Sequence, residues 1–326
     1  MDVDKLVPEA GNLAGFIEQF SVFASAPNGI EKLRELILEL AVEGRLIENN
    51  TIGSVIESLK SSTSKVDKQL LYKKGKKLNS IRSSEIPFKI PDSWEWVRLG
   101  EIGHNWGQIK PNHEFTYIDV SSINNIFGRI TTPDIIQATN APSRARKLVK
   151  NGTVIYSTVR PYLKNIAVID QEFLPTPIAS TAFAIIHPFN SVDVRFVYFY
   201  LRSPSFITYV ESVQKGVAYP AINDEKFFMG VFPLPPIEEQ KRIVTKVDEL
   251  MALCDKLEAQ QQQQANNVLR ANTAAINALL NSEPQQTVKN QKTSANVSVS
   301  EPKTSFEKNW QRIAQHFNTL YGCTLP

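Results

Sequence analysis

Apolar residues recur every three or four positions after residue 236, in the longest helical pattern of the chain. This spacing predicts an α-helix over residues 236–281, which would be about 70 Å long. Pro236 precedes the pattern, and Glu238 and Glu239 fall in the first turn, where the helix dipole favours negative charge. Because a small domain cannot bury so long a helix, we expect it to pair as a coiled coil with another helix, from this chain or from a second copy. The predicted helix-pairing seam consists of Ile243, Val247, Leu250, Cys254 and Leu257.

Shorter helical patterns occupy the start of the chain. Residues 9–24 carry a stripe of apolar side chains, and residues 30–43 repeat it, with Gly44 placed to end the helix. Residues 51–60 suit one more short helix. Residues 1–60 are therefore predicted to form an N-terminal helical region.

A polar segment, residues 61–85, follows this region. Lysine and arginine outnumber acidic residues in it. We interpret it as a solvated, partly helical basic linker. The alternative is a strip that contacts the phosphate backbone of DNA, which a local excess of positive charge would serve.

Residues 86–235 have a different pattern. Alternation of apolar and polar residues at 94–99 predicts a strand, and short β-like runs separated by Gly, Pro, Asn and Ser come after it. The further predicted strands are residues 115–120, 153–159, 166–169 and 182–187. Two helices rich in aromatic residues are predicted at 194–201 and 205–213, and we assign their aromatic side chains to the core. The predicted fold class is therefore α+β: one mixed α/β domain flanked by helices, with a long coiled-coil helix.

Two segments follow the long helix. Residues 282–304 consist largely of polar residues and proline, which predicts a flexible tail. Residues 305–326 are predicted to be helical again. Residues 312–317 resemble residues 16–20 with one residue inserted, which indicates the start of a second repeat of the N-terminal pattern.

The composition is typical of a soluble intracellular protein. The chain has 326 residues, enough for about two domains, and 42% of them are hydrophobic. The formal net charge is only +3, so any nucleic-acid surface must be a local patch. Cys254 and Cys323 provide neither a disulfide framework nor a metal-ligand spacing, which suits a reducing cytoplasm. The sequence has no signal-peptide pattern and no apolar run of about 18 residues, so we expect a cytoplasmic protein without a membrane partner.

Enzyme signatures are missing from the sequence. It has no glycine-rich phosphate loop, no zinc-protease helix motif and no Cys/His metal set. A formal nuclease match at Glu239 and Lys241 is weak, because it lies in the first turn of the predicted long helix. We therefore predict no catalytic residue, no metal ligand and no cofactor in this chain.

Two other stretches suit contact with DNA. Residues 143–164 contain six basic residues and no acid, and residues 215–223 combine a glycine with polar and aromatic side chains. Arginine can donate to both acceptors of a guanine edge, and tyrosine can reach bases or phosphates. An ordinary solvated loop is the alternative for either stretch. The predicted DNA-binding residues are Arg144, Arg146, Lys147, Lys150, Tyr156, Ser157, Arg160, Tyr162, Lys164, Lys215, Tyr219 and Asn223.

Four segments resemble the specificity subunits of type I restriction-modification systems. Residues 36–46 (LILELAVEGRL) are similar to the helix end that opens these proteins. Residues 85–100 (EIPFKIPDSWEWVRLG) look like the first segment of a target-recognition domain, and residues 154–163 (VIYSTVRPYL) resemble a strand and turn inside one. Residues 219–257, which begin YPAIN, are similar to the passage from that domain into a conserved coiled-coil helix.

The resemblance implies a protein that reads double-stranded DNA and does no chemistry itself. In this family two target-recognition domains each read half of a bipartite target, and two long antiparallel helices set the distance between the halves. The resemblance assigns residues 86–235 to a target-recognition domain and residues 236–281 to a helix that docks methyltransferase (M) subunits. Those M subunits hold S-adenosylmethionine. ATP-driven restriction (R) subunits, where Mg²⁺ is also expected, join them for cleavage.

This chain departs from the family pattern because it carries one recognition domain instead of two. We expect either a natural half-subunit that pairs with a second copy and reads an inverted repeat, or a truncated product of a longer gene. The functional alternative is a coiled-coil interaction protein without DNA specificity. The sequence does not reveal which bases are read.

Overall fold

The computed structural model describes residues 19–47, 80–216 and 218–281. The predicted segments outside these residues are most of the helical stripe at 9–24, the short helix at 51–60, nearly all of the basic linker at 61–85, the tail at 282–304 and the helix at 305–326. Contacts divide the chain into two compact units, Met1–Asp255 and Lys256–Pro326.

The described residues contain both helices and strands. The helices are α1 (Phe20–Ala24), α2 (Gly29–Val42), α3 (Val194–Arg202), α4 (Pro204–Val213), α5 (Asp224–Met229) and α6 (Ile237–Asn281). The strands are β1 (Glu95–Arg98), β2 (Gly103–His104), β3 (Phe115–Ile118), β4 (Ile123–Asn124), β5 (Arg129–Ile130), β6 (Asp134–Ile136), β7 (Ala145–Leu148), β8 (Thr153–Ser157), β9 (Ile166–Ile169), β10 (Pro177–Ser180), β11 (Phe183–Pro188) and β12 (Val231–Leu234). Short 3₁₀ turns connect several of them. The α+β class predicted from the sequence is confirmed.

Helix α2 forms where its apolar stripe predicts it. Leu33, Ile37 and Ala41 lie three or four positions apart and are buried. Gly44, two residues beyond the helix, has a φ of +73°, a conformation that favours glycine. A Cβ at this position would lie 2.6 Å from the ring of Pro91, so glycine is also the residue that fits.

The α/β domain begins and ends at one place, because β1 pairs antiparallel with β12 and Glu95 lies opposite Leu234. A buried cation ties β1 to the segment before it. Arg98, the last residue of β1, is 2% exposed and forms an ion pair with Glu85 at 3.0 Å. The hydrogen bond from Arg98, with one from the backbone of Arg82, lowers the pKa of Glu85 to about 2.

The chain between β1 and β12 forms two four-stranded sheets, with the orders β6-β3-β10-β7 and β2-β11-β8-β9. Strands β3 and β10 are parallel, and the other neighbours are antiparallel. One buried cluster takes Ile118 from the first sheet and Ile155 and Phe183 from the second, so the two sheets share a core. Phe196 of α3 and Phe206 of α4 are also fully buried, as the sequence predicts for their aromatic side chains.

The five predicted strands all appear, as β1, β3, β8, β9 and β11. The strands that the sequence pattern did not predict are short, and four of them, β2, β4, β5 and β6, have only two or three residues, too few for a pattern to be visible. Strand β12 also contains Pro233, which normally argues against a strand. It is tolerated here because β12 pairs with β1 alone.

Helix α6 begins one residue after Pro236, whose carbonyl oxygen accepts from the backbone of Glu239 and Gln240. Four seam residues are at most 3% exposed: Ile243, Val247, Leu250 and Cys254. Ion pairs join this part of α6 to α2 through Arg34 and Asp255, 2.6 Å apart, and to α3 through Arg195 and Asp248. The seam up to Asp255 is therefore covered within the first unit.

The second unit contains the rest of α6. Leu257, the last seam residue, is partly buried, whereas every described side chain from residue 258 to residue 278 is exposed. Among these are Val268 and Leu269, which are 60% and 65% exposed. The described part of this unit thus presents a helix with uncovered apolar side chains.

Candidate nucleic-acid interface

A tight turn follows β8 and carries several of the predicted DNA-binding residues; we call residues 159–164 the basic turn. Its centre is a 3₁₀ turn, Pro161–Leu163, flanked by Arg160 and Lys164 with φ values of +48° and +52°. Non-glycine residues in this conformation each cost about 1 kcal/mol or more. Such strain persists only where the surroundings fix the backbone, and it is concentrated at functional sites.

The second predicted stretch, residues 215–223, forms a loop that lies against the basic turn; we call it the glycine loop. Isolated β-bridges join Ala221 to Val159 and to Lys215. The backbone N–H of Arg160 donates to Pro220 O at 2.8 Å. The structure therefore brings the two stretches together in one surface, which the sequence could not indicate because they are far apart along the chain.

Gly216 allows the glycine loop to fold back on itself. Its φ is +93°, and a Cβ there would lie 2.8 Å from the carbonyl oxygen of Tyr219. The absence of a side chain at Gly216 thus permits a close backbone approach, and the approaching group belongs to this loop. Gly216 therefore determines where the backbone of Tyr219 can lie.

Arg160 and Tyr219 are in direct contact across the junction of the two loops. The guanidinium carbon of Arg160 lies 4.9 Å from the centre of the Tyr219 ring, a cation–π arrangement. Tyr219 is 70% exposed and Tyr162 is 49% exposed. Together these side chains form a basic and aromatic surface that is open to solvent.

Three of the predicted DNA-binding residues are buried, and the prediction is corrected for them. Tyr156 is 2% exposed and packs against Phe227, with ring centres 4.8 Å apart. Ser157, also 2% exposed, donates to Val159 O at 2.8 Å. Lys147 is 8% exposed, and its ammonium group lies 2.9 Å from Asp224. For Tyr156 and Ser157 the sequence prediction failed because strand β8 is buried on both faces and gives no alternation. For Lys147, on β7, it failed because the partner Asp224 is distant in sequence.

Three further predicted residues have structural partners within the chain. Lys164 forms an ion pair with Glu35 of α2 at 2.9 Å. Arg146 donates to Ala145 O at 2.7 Å. Asn223 accepts from the backbone of Lys226 and caps the start of α5. These contacts hold the loops in place and leave less of each side chain for a ligand.

The remaining predicted residues lie at the surface. They are Arg144, Lys150, Arg160, Tyr162, Lys215 and Tyr219. Lys150 lies on the loop after β7, outside the basic turn. Its Nζ is 4.0 Å from the centre of the Trp106 ring.

Trp106 belongs to an aromatic cluster that the sequence reasoning missed. Its ring centre lies 4.7 Å from that of His187, and His104 packs 5.2 Å from His187. Burial, together with the nearby His104 and Lys150, lowers the pKa of His187 to about 4. The histidines are scattered along the chain, so only the pairing of β2 with β11 brings them together.

The passage from the domain into α6 is held by buried polar groups. Glu239 is fully buried and accepts from the indole N–H of Trp94 at 2.9 Å. Gln240, also fully buried, accepts from the backbone of Asp193 at 2.7 Å and donates to Pro235 O at 2.8 Å. Glu239, which belongs to the formal nuclease match, thus anchors the helix to the domain.

Among residues 19–47, 80–216 and 218–281, no group of three or more His, Cys, Asp or Glu side chains is arranged to hold a metal ion. In the same part of the chain, no helix has the length and apolar character needed to cross a membrane.

Several known proteins are similar to this chain in sequence. The type I restriction enzyme EcoAI specificity subunit of Escherichia coli is 28% identical over 304 residues, which cover 90% of this chain and 48% of that protein. The EcoEI specificity subunit of the same organism is 27% identical over 304 residues, with the same coverage. The chain therefore spans about half the length of the curated relatives it matches.

Solved structures and a family model agree with these relatives. The HsdS subunit from Thermoanaerobacter tengcongensis is 34% identical, with a TM-score of 0.54, over 64% of this chain and 54% of that one. The model of the type I restriction modification DNA specificity domain matches residues 91–267, more than half of the 326 residues and all of the surface described above. The chain belongs to the family of type I restriction-modification DNA specificity domains.

Proposed function

We propose that this chain is the DNA-reading specificity subunit of a type I restriction-modification complex, and that its α/β domain reads one half of a bipartite target. One observation carries the proposal: two separate stretches of sequence fold into a single exposed surface, with Arg160 stacked on Tyr219. This surface lies within the segment that matches the family model.

The chemistry of the surface suits a duplex. A guanidinium group can donate to both O6 and N7 of guanine in the major groove, and it neutralises phosphate charge when it contacts the backbone. The Tyr219 ring holds Arg160 from one side, so less side-chain entropy is lost when DNA binds. The strained basic turn and the close approach at Gly216 fix the backbone beneath both residues.

The chain's own role in this proposal is recognition and assembly, with no catalytic step. Methylation and cleavage belong to partner M and R subunits, which would hold S-adenosylmethionine, ATP and Mg²⁺. The complex acts in the cytoplasm, where it meets the DNA that it reads.

Helix α6 is the proposed docking element for M subunits. Its first part is fixed to the domain through the buried Glu239 and Gln240. Further along, Val268 and Leu269 are exposed on a helix, and apolar side chains in such positions suit another helix. A second specificity domain, from another copy or from another chain, would read the other half of the target.

A selection experiment tests the DNA-reading role. The full chain is incubated with a library of random-sequence duplexes, and the bound fraction is sequenced over several rounds. We expect one short consensus, bound with an affinity that falls steeply as salt rises, because phosphate contacts release counterions. A chain that enriches no sequence, alone or with its M subunit, would contradict DNA reading. Retention of helix-mediated self-association in that case would favour a coiled-coil interaction protein.

A second experiment tests assembly. Light scattering after size-exclusion chromatography gives the mass of the chain alone and with the M subunit. A complex that contains both chains supports docking through α6. Two separate peaks at micromolar concentration would contradict it.

A further inference from the structure

The turn between β4 and β5 exposes two large apolar side chains. Ile126 is 77% exposed and Phe127 is 68% exposed, at the tip of a short hairpin. Tight turns normally carry Gly, Pro, Asn, Asp or Ser at such positions. An apolar tip that departs from this chemistry points to a contact made outside the chain.

The tip is rigid. The side-chain oxygen of Asn124 accepts from the backbone N–H groups of Ile126 and Phe127, both at 3.1 Å. Gly128 has a φ of +61°, and a Cβ there would clash with the hydroxyl group of Tyr198. These contacts restrain the backbone that carries both exposed apolar side chains, which reduces the backbone entropy lost when a partner binds.

The tip is joined to the basic turn. The side-chain amide of Asn125 donates to Leu163 O at 2.9 Å, and Arg202 donates to Asn125 O at 3.1 Å. Leu163 and Tyr162 are themselves 38% and 49% exposed. The apolar tip therefore continues the surface that contains Arg160 and Tyr219.

The charge around the tip suits a polyanion. Residues 120–133 contain a single charged residue, Arg129, which directly follows the turn and is exposed. Arg202, which donates to Asn125 O, adds a second cation at the tip, and the two cations suit the phosphate backbone of DNA. Apolar side chains at DNA interfaces pack against thymine methyl groups or wedge between base steps.

We propose that the β4–β5 turn is a second DNA-contact element, in which Phe127 and Ile126 pack against the duplex beside the segment met by the basic turn, and Arg129 contacts a phosphate. This inference rests on the proposed DNA-reading function. It adds an apolar contact that contributes affinity without releasing counterions.

The test compares Phe127→Ala with Ile135→Ala, using the full chain and the duplex that the wild-type chain selects from a random library. Ile135 is a matched control because it is also an apolar residue, 61% exposed, on strand β6. We expect Phe127→Ala to weaken binding about tenfold at every salt concentration, with the slope of log affinity against log salt unchanged. Arg129→Ala should lower the slope by about one. Ile135→Ala should bind as the wild type does.

The inference is wrong if Phe127→Ala binds the selected duplex with wild-type affinity, or if it loses no more affinity than Ile135→Ala does. Loss of M-subunit binding with unchanged DNA affinity would assign the tip to a protein partner instead. A wild-type chain that selects no duplex would remove the proposed function itself, and this result is distinct because it precedes any comparison of variants.

Discussion

Arg160 and Tyr219 stack on one another, with the guanidinium carbon 4.9 Å from the ring centre, although they come from different loops. The contact is possible because Arg160 donates its backbone N–H to Pro220 O, next to the tyrosine. One cation and one aromatic ring are thus presented together at the surface. A ligand that uses one of them also meets the other.

Replacing either residue by alanine should weaken binding of the selected duplex about tenfold. Arg160→Ala should also lower the slope of log affinity against log salt by about one, because a cation that neutralises a phosphate is lost. Tyr219→Ala should leave the slope unchanged. The double variant should lose less than the sum of the two single losses, since the residues are in contact. Fluorescence anisotropy at several salt concentrations measures the affinity and the slope for the two single variants and the double variant.

Lys89→Ala is the control for these variants, because Lys89 is an exposed lysine on the segment before β1. It should bind DNA as the wild type does. Equal affinity of Arg160→Ala, Tyr219→Ala and the wild type would remove this surface from the interface.

Gly216→Ala should weaken DNA binding, whereas Gly107→Ala should not. Both glycines have positive φ values, +93° and +83°, so both substitutions carry the same kind of backbone strain. Only at Gly216 would the new Cβ meet another group, the carbonyl oxygen of Tyr219, while nothing lies within 4 Å at Gly107. A parallel loss of DNA affinity in both variants would show that strain, and not displacement of Tyr219, is responsible.

The sequence predicts the long helices well and the short strands poorly. Helix α6 and helix α2 each repeat an apolar stripe over several turns, so their bounds agree with the prediction to within one residue. Strands such as β4 and β5, two residues each, exist only because a partner strand lies beside them. Their formation depends on tertiary contacts, which a local pattern does not contain.

Trp94→Phe should lower the free energy of unfolding by about 1–3 kcal/mol, because it leaves the buried carboxyl group of Glu239 without its donor. Burial raises the pKa of Glu239, and the hydrogen bond from Trp94 is the larger of the two interactions that oppose this shift, the other being the charge of Arg242. Glu239→Gln should cost less, since its amide oxygen still accepts from the indole. Urea denaturation measures the change.

Trp96→Phe is the matched control for this anchor. Trp96 lies two residues further along, on β1, and is only partly buried, with its ring 5.0 Å from that of Phe88. Its replacement should change the unfolding free energy by less than Trp94→Phe does. Equal losses at the two positions would mean that ring volume, and not the hydrogen bond to Glu239, accounts for the stability.

The two parts of α6 should respond differently to a charge. Leu250→Glu places an uncompensated carboxylate in the buried seam and should lower the unfolding free energy by more than about 3 kcal/mol. Leu269→Glu lies at an exposed position and should leave stability unchanged, but it should weaken assembly with the M subunit. Urea denaturation and light scattering distinguish the two effects. Normal assembly by Leu269→Glu would contradict docking at this part of the helix.

Stability should fall as the pH is lowered from about 6.5 to about 4, in part because of His187. Burial, together with His104 and Lys150, lowers its pKa to about 4, whereas an unfolded histidine has a pKa near 6.5. Between these values the unfolded chain binds the proton and the folded chain does not, so acid favours unfolding. His187→Gln should reduce this dependence, and His113→Gln, at an exposed position, should not. Identical pH profiles for the two variants would contradict the assignment.

The candidate surface could be predicted only in part. Residue types and local charge indicated both loops, and Arg160, Tyr162, Lys215 and Tyr219 do lie at the surface. Burial of Lys147 could not be foreseen, because its partner Asp224 is distant in sequence. The apolar tip at Phe127 carried no signal of its own either, since an apolar residue in a sequence is most often a core residue.

The antiparallel pair of β1 and β12 has a consequence for how such proteins can change. Because Glu95 faces Leu234, the chain leaves the α/β domain next to the point where it enters. Everything between these strands can be replaced by another sequence of compatible ends while the flanking helices keep their places, as with inserted domains whose termini lie close together. The fold thus makes the α/β domain a separately inheritable part, open to exchange by recombination between genes.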